Sequence, residues 1–292
     1  MPSPEHPLTW TCVTCGYAGT DSYCAHCGEK RHDGHDASLR HMFSETLEAF
    51  FHLDSKVFLS LRTLVTKPGL LTAEYFAGRR KPYMTPLQLF LVCNFLFFIL
   101  QPFTGLEILA PPLRLYENNA IPQAISVPRI NDRLEQKHFS RSNAEQYAEF
   151  TERFDHASRL QAKTLILAMV PMLTLVMAAL YLRPLSSKRR YLVEHLVFSL
   201  HAYAWWLLWI LAILIVMALL YVFHLISHNT LDAFATLLEF PGFGVYLFLA
   251  LRKYYKDRLW LDVVRGVILI VAVFGIFELY RIMLLFTILR AT

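Results

Sequence analysis

The feature that most constrains this chain is a stretch such as "LQLFLVCNFLFFILQPFTGL", Leu87 to Leu106, which runs 20 positions without a charge. Crossing the hydrocarbon core of a bilayer takes a helix of about 20 mostly apolar residues. Comparable windows run from Thr164 to Leu182, within Leu192 to Phe223, from Phe234 to Leu251 and from Val263 to Leu289. About five windows of this length predict an all-α polytopic membrane protein. Composition agrees: 55% of the residues are hydrophobic and 17% charged, against roughly a quarter charged in soluble domains. The Phe234–Leu251 window is the weakest, because Glu239, Pro241, Gly242 and Gly244 interrupt it.

Charge orders these windows. Basic clusters "GRRKPY", "RPLSSKRR" and "RKYYKDR" precede the first window, join the second to the third and join the fourth to the fifth. With five crossings all three fall on one side, which the positive-inside rule makes cytoplasmic. The connection "HLISHNTLDAF" has no Lys or Arg and is expected outside, as is the C-terminus. The opening "MPSPEHPLTW" lacks the basic and apolar regions of a secretory leader, so the N-terminus is expected in the cytoplasm. The net charge of +5 is accounted for beside the spans, and no nucleic-acid partner is expected.

Three regions follow: a ribbon and tether over 1–35, amphipathic juxtamembrane helices over 36–85, and a transmembrane bundle over 86–292 with an outer loop at 107–163. In the second region Leu39, Met42, Phe43, Leu47, Phe50 and Phe51 recur at helical spacing. Ser38 and Asp54 read as N-caps, and Pro68-Gly69 ends a helix before a third short one. In the outer loop "APPLRLYENNAIPQAISVPRIND" reads as irregular. Ser142 and Glu145 form a capping-box pattern that opens a helix leading into the second span.

The ribbon carries the clearest chemistry. Cys12, Cys15, Cys24 and Cys27 form two Cys-x-x-Cys pairs separated by eight residues, and Gly16 and Gly28 follow them. Four thiolates with no open position describe a structural Zn2+ site; a redox dithiol pair and an iron–sulfur site are the rival readings. So short a segment has almost no apolar core, so the metal must supply its folding energy.

Within the spans, Asn94 and Gln101 share a face, as do Glu194 and His201, while Glu278 and Arg281 sit at i, i+3. Intramembrane charges face the bundle interior and find partners. These six residues define either a polar interior for a solute, proton or lipid headgroup, or structural glue between helices. His224, His228 and Asp232 follow an i, i+4, i+8 pattern that reads as interfacial polarity. Cys93 stands alone and reads as core. No Gly-rich phosphate loop, Gly-x-Ser-x-Gly or His-Glu-x-x-His occurs, so no enzyme is expected.

The paired "CVTCG" and "YCAHCGE", then "LDSKVFLSLRTLVTKPGLLTAEYFAGRRKPYMTPLQLFLVCNFLFF" and "VEHLVFSLHAYAWW", resemble an uncharacterised bacterial membrane-protein family, domain of unknown function 3667. The resemblance runs over nearly the whole chain and is most specific from Leu53 to Phe98. It implies a bacterial inner-membrane protein with a cytoplasmic zinc ribbon and a helical bundle, and supplies no activity. The expected role is non-enzymatic: the ribbon docks a membrane or cytoplasmic protein partner or stabilises the juxtamembrane collar, and the bundle meets the lipid bilayer. The alternative is a small-solute or ion transporter using the polar interior.

Overall fold

Two antiparallel strands of two residues each, β1 (Trp10–Thr11) and β2 (Ala18–Gly19), are the whole sheet among the described residues. The computed structural model describes residues 10–29, 56–105, 108–118, 120–137, 139–182, 191–223 and 228–292. The helix expected from Ser38 through Phe51 lies outside these residues, as does Asp54, the expected cap of the second helix, whose body Lys56–Thr66 is described.

A collar of two short helices follows: α1 (Lys56–Thr66) and α2 (Leu70–Phe76). The turn Arg79–Thr85 leads into α3 (Pro86–Leu100), whose start is written locally: Thr85 accepts from the Gln88 N–H and Pro86 takes the first helical position. A 3-10 turn extends α3 to Thr104. The segment expected as an outer loop then forms α4 (Leu113–Asn118), α5 (Ala120–Gln136) and α6 (Ala144–Leu165). After a 3-10 turn at Ile166–Ala168 come α7 (Met169–Leu180), α8 (Leu192–Val222), α9 (His228–Tyr254) and α10 (Leu259–Ala291).

Four helical stretches among the described residues are long and apolar enough to cross a membrane: Pro86–Thr104, Ala144–Leu180, Leu192–Val222 and Leu259–Ala291. The chain is therefore a multi-pass helical membrane protein. The remaining window falls in α9, which is not one of these four. It is nevertheless a single helix of 27 residues with Pro241 inside it. It lies against both α8 and α10. Gly242 lets Trp209 close on the helix, since a Cβ there would fall 2.5 Å from the indole. The small residues that read as an interruption are thus a packing surface, as is common between membrane helices.

α8 is the centre, packed by α3, α7 and α9, and α10 is packed by α6, α7 and α9. The core is aromatic. Trp206 is fully buried and meets Phe277 and Tyr203 edge-on, with ring centroids 5.9 and 5.8 Å apart. Trp205 stacks on Tyr246 at 4.3 Å. Cys93 is fully buried in this core, as its isolation suggested.

The outer loop differs from its sequence reading. The stretch read as irregular is helical over most of its length, in α4 and α5. Pro122 falls in the first turn of α5, where a missing N–H costs little. Pro128 lies inside the helix, and beyond it Ile130 and Leu134 are buried where α5 packs on α10. Nor does Ser142 cap α6. Asn143 does, accepting from the N–H groups of Glu145 and Gln146 at 3.1 and 3.3 Å, while Ser142 pairs with Ser140.

Candidate metal centre and the polar clusters of the bundle

The two knuckles fold alike. Cys12 N–H bonds Tyr17 C=O and Gly16 N–H bonds Cys12 C=O; Cys24 with Glu29 and Gly28 with Cys24 repeat the pattern, all at 2.7–2.8 Å. Gly16 and Gly28 both take positive φ, 76° and 69°, which a Cβ would strain. These turns aim backbone donors at sulfur: the N–H groups of Cys27 and His26 lower the Cys24 thiol to about 6. The Glu29 N–H does the same for Cys27, but loss of water and the sulfurs of Cys12, Cys15 and Cys24 outweigh it and push that thiol up to about 12. Four crowded sulfurs cannot all ionise without a cation among them.

All four sulfurs lie within 4.8 Å of one another. Cys12–Cys27 and Cys15–Cys24 are 3.5 Å apart, too far for a disulfide, and the cysteines are free. A tetrahedron with metal–sulfur bonds of about 2.3 Å has edges near 3.8 Å, so the cluster fits a metal ion of that geometry.

The ribbon rests on the turn that follows the collar. Glu29 is buried and its Oε2 accepts from the Lys81 N–H at 3.0 Å and the Thr14 hydroxyl at 2.8 Å. Sequence reading missed this contact, because "CGEK" shows an acidic residue beside a knuckle and nothing of a partner 52 positions away.

The six polar residues of the spans settle in separate places. Asn94 Nδ2 donates to the Lys163 carbonyl at 3.2 Å, and its buried Oδ1 has no partner among the described residues. Gln101 is buried at the end of α3. Glu194 accepts from the Tyr191 N–H at 3.1 Å and the Tyr254 hydroxyl at 2.5 Å. His201 Nδ1 meets the Thr72 hydroxyl of α2 at 2.9 Å. Glu278 and Arg281 pair directly at 3.2 Å, and the Arg281 carbonyl accepts from Tyr116 of the outer loop. Glu194 and His201 therefore share α8 but engage different helices. The His224, His228 and Asp232 pattern falls outside the residues whose side chains are described.

A second polar cluster was not singled out from sequence. His195 Nδ1 and the Tyr255 hydroxyl are 2.7 Å apart, Tyr181 stacks on Tyr255 at 4.1 Å, and the Arg265 guanidinium lies 4.0 Å from the Tyr181 ring centroid. Arg265 also pairs with Asp257, and Arg252 with the buried Asp262 at 3.0 Å. Its members come from the ends or starts of α7, α8, α9 and α10, so only folding brings them together.

Beside it, Leu71, Tyr75, Arg79, Arg80, Tyr83, Met84, Thr85 and His201 line a small open cleft of about 30 Å3. It lies between α2, the Arg79–Thr85 turn and α8.

No curated protein and no solved structure matches the chain. The similarity that is present is local. It covers α1, α2, the turn under the ribbon and most of α3, and leaves out the ribbon and the later spans. Residues 54–98 match the family model described as a protein of unknown function (DUF3667).

Proposed function

We propose that this is a non-enzymatic, multi-pass protein of the bacterial inner membrane. In this reading its cytoplasmic zinc ribbon clamps the collar against the bundle. One observation carries this: buried Glu29 joins the ribbon to the turn at Lys81. Zn2+ suits the four-thiolate set. By holding the ribbon folded, the metal would hold Glu29 in place, and so the turn between the collar and α3.

The packing supports the orientation read from the basic clusters. Phe76 reaches Tyr254, and Tyr181 and His195 reach Tyr255, so the flanks of all three basic loops meet at one end of the bundle. With α9 as a fifth crossing, that end is cytoplasmic and the C-terminus outside. Reporter fusions at Ser186 and Tyr255 should then read cytoplasmic, and fusions at Asn118 and the C-terminus outside. A cytoplasmic C-terminus would remove α9 from the crossings.

The transporter alternative has less support, because Asn94, Glu194, His201 and the Glu278–Arg281 pair each meet a separate partner. Docking of a protein partner keeps one supporting observation, the exposure of Val13, Tyr17 and Tyr23 on the ribbon. The clamp is tested by trypsin cleavage after Arg79 and Arg80 in the full chain. A charged hydrogen bond is worth about 1.5–3 kcal/mol, so chelation, Cys24→Ser and Glu29→Ala should each speed cleavage about tenfold or more. The combined Cys24→Ser and Glu29→Ala change should add nothing further. Unchanged cleavage on metal removal would overturn the reading.

A further inference from the structure

We propose that the cleft between α2, the Arg79–Thr85 turn and α8 binds a phosphate group, carried by a membrane phospholipid or by a soluble phosphate.

The charge balance of the lining is the first ground. Arg79 is compensated by Glu74, with which it pairs through two nitrogens. Arg80 has no such partner among the described residues. Its Nε donates to the Tyr75 carbonyl at 3.1 Å and its guanidinium carbon lies 4.3 Å from the Tyr75 ring centroid. Backbone and ring thus hold the fork in place. Its two terminal amino groups have no hydrogen-bond partner among the described residues, and no acidic residue lines the cleft. A pre-positioned, uncompensated guanidinium is suited to bidentate contact with a phosphate.

The rest of the lining supplies matching polarity. His201 lines the cleft and is buried, with Nδ1 at 2.9 Å from the Thr72 hydroxyl. Tyr83 belongs to the same lining, as does Thr85 at the N-terminus of the 15-residue helix α3. That helix end favours negative charge. Free space of about 30 Å3 admits about two water-sized groups. The occupant is therefore the small anionic end of a molecule whose remainder stays outside.

The collar shows where that remainder would lie. α1 buries Ser60, Thr63 and Leu64 and leaves Phe58, Leu59 and Val65 exposed beside Lys56 and Arg62, an outer face that mixes large apolar and basic side chains. Ser60 accepts from the Met84 N–H at 2.9 Å, so the helix that carries this face is tied to a residue of the cleft. Such a face suits the lipid interface and favours a phospholipid headgroup as the source. The inference rests on the collar lying at the membrane surface. It is read out separately from the clamp: phosphate binding can fail while metal-dependent protection of the turn persists, and the reverse.

The test uses the full-length chain in detergent, stripped of lipid. In one arm phosphatidylglycerol is added, with a phosphate-free glycolipid as control, and retained lipid is counted by native mass spectrometry. In the other, inorganic phosphate is titrated and the melting temperature followed. Retained phosphatidylglycerol that phosphate does not displace supports the inference with a lipid source. Stabilisation by inorganic phosphate without lipid retention supports it with a soluble source. In either case Arg80→Gln should weaken binding about tenfold, equivalent to about 1.4 kcal/mol, and Arg80→Lys should weaken it less, since it keeps charge without the fork. No binding in either arm, glycolipid retained as well as phosphatidylglycerol, or wild-type binding in whichever Arg80 variant keeps the parent melting temperature overturns it.

Discussion

The ribbon and the bundle solve the same problem, removing groups from water in one arrangement, by opposite means. Over residues 10–29 the buried side chains are Cys12, Cys24 and Glu29, and no apolar cluster stands behind them. The bundle buries Trp206, Tyr203, Tyr280, Phe90, Phe97 and Phe243 nearly completely. Its cohesion is distributed over many contacts, each small. In the proposed reading the ribbon concentrates its stability in a metal held by four sulfurs, so that a single ligand there would outweigh any one residue of the bundle. The contrast also marks out Glu29, the buried contact that joins the four-cysteine fold to the turn before α3.

The sharpest way to break this comparison is to remove the metal. Structural zinc contributes about 10–16 kcal/mol to small ribbons at neutral pH. Chelation or Cys24→Ser in the full chain should therefore unfold residues 10–29, read as rapid proteolysis there, with the helical circular dichroism of the bundle unchanged. Binding needs thiolates, so metal retention should fall as the pH is lowered and return as it is raised. A bundle that melts with the ribbon would mean that the two are one cooperative unit.

The converse experiment acts on the bundle. Trp206→Ala should cost about 3–5 kcal/mol in detergent unfolding and leave metal content at the parent stoichiometry. Loss of metal would deny the ribbon its independence.

A smaller effect comes from the Glu278–Arg281 pair, whose side chains are only 14% and 13% exposed. Glu278→Ala alone should cost about 3 kcal/mol by stranding the buried guanidinium, and the double change with Arg281→Ala should cost less. Equal losses would show that each residue acts through other neighbours. The smallest effect is expected at Glu149–Arg153 on α6. Both side chains there are half exposed or more, and breaking the pair should change stability by about 0.5 kcal/mol or less.

Legibility followed the range of the interactions. The first, third and last windows agree with α3, α8 and α10 to within a few residues at most ends, because hydropathy over one turn after another is a local quantity. The i, i+3 pair at Glu278 and Arg281 was readable for the same reason. Caps were less secure: Ser142 and Asn143 are adjacent and both suitable, and only the geometry of the preceding turn chose Asn143. The outer loop was misread because its prolines outweighed, on paper, the burial of Ile130 and Leu134 that sustains α5.

The sequence by itself determined that the chain enters a membrane, that its basic flanks cluster at three loops, and that four cysteines are spaced for one metal ion. Each rests on residue type and short spacing. Only the tertiary structure decided that Glu29 meets Lys81, that His201 meets Thr72 129 positions away, and that Arg80 lies over Tyr75 at the mouth of a cleft. Such contacts depend on how helices distant in sequence pack, and hydropathy does not encode their register. The interior polar residues show the difference most plainly. Their presence could be read from the chain, but the neighbours of Asn94, Glu194 and His201 were chosen by packing.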